Sequence, residues 1–222
     1  MLYLVSTPIG NLEDITYRAV RILGESDIIV CEDTRQTIKL LSHYHIPQKS
    51  LLPFYEEIEE RETPKILEAV RSGQKVALVS DSGTPLISDP GYKLVRACIQ
   101  EGLDVESIPG PTALLSALTV SGLPPDKFVF LGYPPEKQGK RLGLFTDLNE
   151  SLRTINCTVI FYVSPYKLLK DLSDLEDAFG DIPIVLVREL TKIYCELWRG
   201  KISEASKKFA QPRGEIVLLF HL

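Results

Sequence analysis

Short apolar runs alternate with helical stretches along this chain, and that alternation constrains the fold more than any other feature. Leu2–Ser6, Ile28–Cys31, Val76–Ser80, Val105–Ile108, Phe128–Leu131, Thr158–Tyr162, Ile184–Arg188 and Ile216–His221 read as strands. Their apolar continuity predicts strands covered on both faces, in parallel or mixed sheets. Thr16–Leu23, Thr34–His43, Thr63–Ser72, Tyr92–Glu101, Thr112–Ser121, Arg141–Asn149, Tyr166–Phe179 and Ser203–Phe209 read as helices. In Tyr92–Glu101, Leu94, Val95, Cys98 and Ile99 form an apolar stripe at helical spacing. Thr63 is placed to cap its helix, with Pro64 at the first helical position and Gly73 beyond the end. An α/β fold follows. Gly122-Leu-Pro-Pro-Asp126 breaks the pattern, so we expect an α/β domain over 1–122 and a second over 123–222. Glu189–Arg199 and Glu215–Leu222 both read as extended, which predicts antiparallel pairing near the end.

Composition narrows the function classes. Lysine and arginine minus aspartate and glutamate give 25 − 30 = −5, which speaks against a surface that binds nucleic acid all over. A local basic patch remains compatible with it. The cysteines Cys31, Cys98, Cys157 and Cys195 form no Cys-x-x-Cys pair and read as buried thiols in a reducing compartment. His43, His45 and His221 offer no ligand set, so no metal is expected. The longest apolar runs, such as Ile216–Phe220, are too short to span a bilayer. The first residues lack a basic region and a full apolar stretch, so no signal peptide is expected and the expectation is a cytoplasmic protein.

The chemistry should lie in the polar segments that follow the first-half strands. These are Ser6-Thr-Pro-Ile-Gly-Asn11, Glu32-Asp-Thr-Arg35, Ser80-Asp-Ser-Gly-Thr-Pro-Leu-Ile-Ser-Asp-Pro-Gly91 and Pro109-Gly-Pro-Thr112. Open α/β sheets bind ligands outside the carboxyl ends of their strands. Glycine lets backbone approach a ligand, and proline fixes a loop without an ordering cost on binding. Pro109-Gly-Pro111 alone is explained as well by turn chemistry. The Ser80–Gly91 loop carries more carboxylates, prolines, glycines and hydroxyls than a turn needs. There is no Gly-x-Gly-x-x-Gly after the first strand, no Walker lysine and no Gly-x-Ser-x-Gly elbow. Ordinary dinucleotide binding, P-loop hydrolysis and α/β-hydrolase chemistry therefore lose ground.

Thr7-Pro-Ile-Gly-Asn-Leu-Glu-Asp-Ile-Thr16, Cys31-Glu-Asp-Thr-Arg35, Val79–Tyr92, Ile108-Pro-Gly-Pro-Thr-Ala113, Ser121-Gly-Leu-Pro124 and Arg188-Glu-Leu-Thr-Lys192 together resemble one family. It is the small-subunit ribosomal RNA 2′-O-methyltransferase I family, of the tetrapyrrole methylase superfamily, which acts on a cytidine of 16S rRNA. The resemblance implies two α/β domains, S-adenosylmethionine in the cleft between them, a homodimer, and 16S rRNA or the 30S subunit as substrate. It departs from the family where Val163, Tyr166 and Lys167 stand for a glutamate, a histidine and an arginine, and where Ile58 stands for an asparagine. Bacterial members also tend to continue past the point matching Leu222 into a small helical segment.

Carried over, the resemblance makes Pro8, Ile9 and Gly10 the first cofactor loop, and Asp81, Ser82, Gly83, Thr84 and Pro85 the second, shaped by Asp89 and Gly91. Pro111, Thr112 and Ala113 make the third. Asp81 is open to a role at the cationic end or ribose of the cofactor, or in an Asx turn. A ribose hydroxyl is a poor nucleophile, so a base or a cation for the developing alkoxide is needed. The candidates are Glu189 and Lys192, with Arg35 and Asp33 across the cleft. An internal ion-pair network with Glu32 is the alternative for Asp33 and Arg35, and an ordinary Arg188–Glu189 salt bridge at a strand end is the alternative for Glu189. Lys137, Lys140, Arg141 and Lys167, with Tyr133 and Tyr166 for stacking, are candidates for an RNA-facing rim, against a merely solvated face. Competing functions are a superfamily methylase with a tetrapyrrole or protein acceptor, and a non-catalytic S-adenosylmethionine-binding module.

Overall fold

The computed structural model describes residues 1–222, which form two compact units, Met1–Thr112 and Ala113–Leu222. The first contains β1 (Leu2–Val5), α1 (Tyr17–Glu25), β2 (Ile28–Cys31), α2 (Thr34–His43), β3 (Ser50–Pro53), α3 (Glu59–Arg71), β4 (Val76–Val79), α4 (Tyr92–Gln100) and β5 (Val105–Ile108). Its strands make an all-parallel sheet in the order β3-β2-β4-β1-β5. The chain leaves β1 and β2 toward the β3 edge, and leaves β3 and β4 toward the β5 edge. With one crossover hand, opposite directions put helices on opposite faces. Accordingly Ala19, Ile22 and Leu23 of α1 and Leu41 of α2 pack on one face with Val5, Ile29 and Val79. Ile66 and Val70 of α3 and Leu94 and Cys98 of α4 pack on the other with Leu2, Val30 and Leu78. The connections diverge between the neighbouring strands β2 and β4, and a crevice opens at their carboxyl ends.

The sequence signals missed β3, a short edge strand that is only half-buried and ends in Pro53. An edge tolerates the missing N–H of proline. Helix α3 begins at Glu59 rather than Thr63, and Pro64 lies inside it. Thr63 does not cap the helix; its hydroxyl donates to the Glu59 carbonyl at 2.7 Å. Glu59, Glu60 and Glu62 in the first turn complement the helix dipole.

The second unit contains α5 (Ala113–Ser121), β6 (Phe128–Phe130), α6 (Gln138–Leu152), β7 (Thr158–Val163), α7 (Leu168–Phe179), β8 (Pro183–Arg188), β9 (Glu196–Lys201), α8 (Ile202–Lys208) and β10 (Ile216–Phe220). The division thus falls before α5, not at Gly122. Leu114, Ala117 and Leu118 of α5 pack on Ile160, Val185, Val187 and Leu219 of the second sheet, which ties this helix to the second unit. Gly122 only ends the helix, with a left-handed φ of +79°. The sheet order is β6-β7-β10-β8-β9, parallel at β6–β7 and antiparallel elsewhere. Helices α6, α7 and α8 cover its other face through Phe145, Leu168, Leu172 and Ile202. Extended structure over Glu189–Arg199 holds only from Glu196; the preceding residues form a turn. Cys195 lies in that turn and is exposed, whereas Cys31, Cys98 and Cys157 are buried as expected. No helix is long and apolar enough to cross a membrane.

Candidate functional site

The loops that follow β1, β4 and β5 are knitted together. Thr7 and Gly83 exchange backbone hydrogen bonds of 2.9 and 3.0 Å. Thr7 Oγ1 donates to the Ser80 carbonyl at 3.1 Å, and Ser80 Oγ donates to the Gly83 carbonyl at 3.2 Å. Ser6 Oγ donates to Thr84 Oγ1, which donates onward to the Pro111 carbonyl, both at 3.2 Å. Backbones approach closely here: a Cβ on Gly110 would stand 2.7 Å from Ser6 Cβ. Gly83 takes a φ of +85°, and a Cβ there would meet Ile9 Cγ2 at 3.2 Å. Leu86 and Ser88 also take left-handed φ values, 72° and 67°, which the loop sustains against their steric preference. The structure therefore brings Pro8, Ile9, Gly10, Asp81, Ser82, Gly83, Thr84, Pro85, Pro111 and Thr112 to one end of the first sheet, while Ala113 opens α5.

Across the crevice, Asp81 Oδ1 accepts a hydrogen bond from the Asp33 amide at 3.1 Å. Asp33 caps α2, accepting from the Arg35 amide at 2.8 Å, and pairs with the Arg35 guanidinium at 2.8 Å. The guanidinium and then the amide hold the Asp33 carboxyl at about 2. Asp33 is thus a support for an exposed arginine and a poor proton acceptor at neutral pH. Glu32, Asp81 and Asp89 behave in the opposite way. Burial raises all three and neighbouring carboxylates add to it, with the Asp33 amide partly offsetting the rise at Asp81. Asp89 reaches about 6.

Glu32 and Asp89 also line a cavity of about 420 Å³, with Tyr55, Glu59, Ser88 and Tyr92 among its walls. Glu59 is buried and accepts from the Gly91 and Lys93 amides at 3.1 Å each, capping α4. Sequence reasoning missed this wall; its one trace was the acidic run from Glu56 to Glu60. The raised Asp89 has a stability consequence. Its folded-state value of about 6 exceeds the ordinary 3.8, so its contribution is fully present below about pH 3.8 and lost as pH rises through about 6. Asp89→Asn in the ligand-free protein should therefore gain roughly 1–3 kcal/mol over wild type at about pH 7.5, and nothing near pH 4. Urea unfolding at the two pH values checks this; an equal gain at both would contradict it.

In the second unit, the register Val163↔Ile216↔Arg188↔Glu196 brings the ends of β7 and β8 and the starts of β10 and β9 to one edge. There Glu189 accepts from the Glu215 amide at 2.9 Å and from Lys192 Nζ at 3.0 Å, and Lys192 also reaches Glu215 at 3.1 Å. Burial opposes charge on Glu189, but the Glu215 amide and Lys192 outweigh it and its carboxyl lies below the usual range. Burial likewise opposes charge on Lys192, yet Glu189 and Glu215 raise it above the usual range. Lys192 is therefore a persistent cation. A side chain on Gly214 would overlap the Glu189 carboxylate, so the glycine makes the pair possible.

Lys137 and Lys140 are exposed near the start of α6, and Lys167 is partly exposed and paired with Glu136. Arg141 requires a correction: it is only 4% exposed and cannot face RNA. Its Nε donates to Asp174 at 2.7 Å and lies 3.3 Å from Asp171, while Nη1 donates to the Pro135 and Glu136 carbonyls at 2.9 and 3.1 Å. Because α6 begins at Gln138, Arg141 falls on the buried face of the helix, one turn before Phe145. No group of His, Cys, Asp or Glu is arranged to hold a metal ion.

Comparison with known proteins places this geometry. Residues 1–206 match the family of tetrapyrrole (corrin/porphyrin) methylases. The chain is 46% identical over 220 residues to the ribosomal RNA small subunit methyltransferase I of Thermotoga maritima, covering 98% of this chain and 96% of that protein. It is 45% identical over 221 residues to the protein of that name from a Hydrogenobaculum species, covering 98% and 94%. Among solved structures, diphthine synthase aligns with a TM-score of 0.76 at 14% identity, covering 98% of this chain and 89% of that one. Cobalt precorrin-4 methyltransferase aligns with a TM-score of 0.70 at 19% identity, covering 98% and 93%. These two likenesses concern the fold. The chain belongs to the tetrapyrrole methylase family and, within it, to the ribosomal RNA small subunit methyltransferase I group.

Proposed function

We propose that this protein transfers the methyl group of S-adenosylmethionine to the 2′-hydroxyl of a cytidine in 16S rRNA of the small ribosomal subunit, and works as a cytoplasmic homodimer. The observation that carries the reading is the web joining Ser6, Thr7, Gly83, Thr84 and Pro111, set in a chain 46% identical to a ribosomal RNA small subunit methyltransferase I. Cobalt precorrin-4 methyltransferase and diphthine synthase, at 19% and 14% identity, share the fold and carry no argument about the acceptor.

The residues present fit the cofactor. At Gly110 a Cβ would stand 2.7 Å from Ser6 Cβ, and at Gly83 a φ of +85° disfavours any side chain, so these loops pack backbone to backbone where the cofactor is proposed to sit. Asp81 and Asp89 are acidic groups raised by burial with no cation beside them, matching a ligand that carries an ammonium and a sulfonium. Pro8–Gly10, Asp81–Pro85 and Pro111–Ala113 would hold it. When bound, S-adenosylmethionine supplies an activated methyl group. The protein then has to align the ribose hydroxyl and stabilise charge developing on its oxygen. Lys192, kept protonated by Glu189 and Glu215, is assigned that charge. Arg35, steadied by Asp33, is assigned to the substrate side.

Incubating the protein with labelled S-adenosylmethionine and, separately, 30S subunits, bare 16S rRNA and a porphyrinoid tests the reading. Label in an RNA acceptor is expected, and label in the porphyrinoid alone would contradict it. Gly83→Val should weaken S-adenosylmethionine binding at least about tenfold, because a branched residue both clashes with Ile9 and disfavours a φ of +85°. Calorimetry giving wild-type affinity for that variant would move the cofactor elsewhere.

A further inference from the structure

We propose that the edge of the second sheet where β7 and β8 end is a stacking rim for unpaired RNA bases, with Tyr166 and Tyr194 as its platforms. The proposal deepens the RNA-methylation reading and rests on it. Tyr166 is 93% exposed and Tyr194 is 74% exposed, beside an Ile193 that is 95% exposed. No hydrogen bond or ring contact within the chain holds either tyrosine. Tyr166 follows Val163 closely, and Tyr194 closely precedes Glu196; the register Val163↔Ile216↔Arg188↔Glu196 puts both loops at the same edge. Strands β7 and β8 are separated only by β10, so they end about 10 Å apart.

The turn that carries Tyr194 is held in a costly shape. Glu189 and the β-branched Thr191 take left-handed φ values of 52° and 62°. The Glu189–Lys192–Glu215 network pins the base of the turn. Strain of this kind persists where surrounding structure enforces it, and here it lifts Ile193 and Tyr194 into solvent. Lys137 and Lys140, beyond β6 on the same side of the sheet, supply positive charge for phosphates.

Charge and area decide the occupant. A stable contact with a second copy buries about 800 Å² per partner, and separate rings on two loops among charged residues are too small for it. One ring is the unit needed to stack one base. An A-form duplex keeps its bases stacked on each other, so the rim selects unpaired nucleotides.

Fluorescence anisotropy with an unstructured, fluorescein-labelled cytidine oligonucleotide and an RNA duplex of equal length tests this. Tyr166→Ala and Tyr194→Ala should each weaken binding of the single strand about tenfold. Tyr166→Phe and Tyr194→Phe should bind as wild type. Duplex binding, S-adenosylmethionine affinity and thermal midpoint should hold in all four variants. Lys137→Ala with Lys140→Ala should instead flatten the salt dependence for both probes. Single-strand binding unchanged in the alanine variants would overturn the proposal. So would equal losses in the phenylalanine variants, or a change of molecular mass by light scattering, which would give the rings to a second copy. Stacking present without methyl transfer to any RNA would overturn the functional reading alone; transfer with no effect of either ring would overturn the rim alone.

Discussion

Replacing Arg141 with alanine is expected to destabilise the protein by about 3–5 kcal/mol, the largest loss foreseen for any single side chain outside the apolar core. The guanidinium faces Asp171 and Asp174, each about 2% exposed, and two backbone carbonyls. Burial raises Asp171 to about 6 even with Arg141 opposing the rise. Without the arginine, two neighbouring buried carboxyl groups lose their counter-charge, and Gln138 is left as a partner of Asp174. Denaturant unfolding followed through Trp198, the single tryptophan and a residue of β9 in the same unit, reports the loss directly. Arg141→Met combined with Asp171→Leu and Asp174→Leu should recover much of it, because an apolar set of similar volume needs no pairing. A single Arg141→Ala variant within 1 kcal/mol of wild type would contradict the buried network.

The second large effect concerns Lys192. On the proposed mechanism, Lys192→Met should lower kcat for methyl transfer about 100- to 1,000-fold, the range seen when one preorganised donor to a developing oxyanion is removed. S-adenosylmethionine affinity should stay within about twofold, since Lys192 belongs to none of the loops proposed to hold the cofactor, which follow β1, β4 and β5. Glu189→Gln should give a smaller loss, because Glu215 continues to hold the ammonium at 3.1 Å. A Lys192→Met loss below about tenfold, or one confined to cofactor binding, would remove the lysine from the chemistry.

The sequence made some parts of this molecule legible and hid others for physical reasons. The buried strands β1, β2 and β4 declared themselves as apolar runs, whereas β3, Ser50-Leu-Leu-Pro53, is a half-buried edge strand of four residues that ends in a proline. The loops after β1, β4 and β5 were readable because glycine and proline are needed where backbones meet, as at Gly110 against Ser6. The wall of Tyr55, Glu59 and Tyr92 was not readable, because separate elements assemble it. Arg141 was misplaced for a related reason. Lys137-Gln-Gly-Lys-Arg141 looks like a charged loop, yet only Lys137 lies outside α6, and the helical turn that buries Phe145 buries Arg141 with it. Pro64 misled in the other direction, marking a helix start that the acidic first turn of α3 places earlier. Val163 is buried in the core beneath α7 and serves packing there.

The most direct test of the central claim is to locate the transferred methyl on the nucleotide. Small-subunit rRNA labelled by this protein with S-adenosylmethionine, then hydrolysed in alkali, separates the outcomes chemically. A ribose 2′-O-methyl group blocks the attack that cleaves the adjacent phosphodiester bond. The account predicts label in an alkali-resistant dinucleotide whose first residue is cytidine. Label in a mononucleotide, which places the methyl on a base, or in a resistant dinucleotide led by another residue, would contradict it.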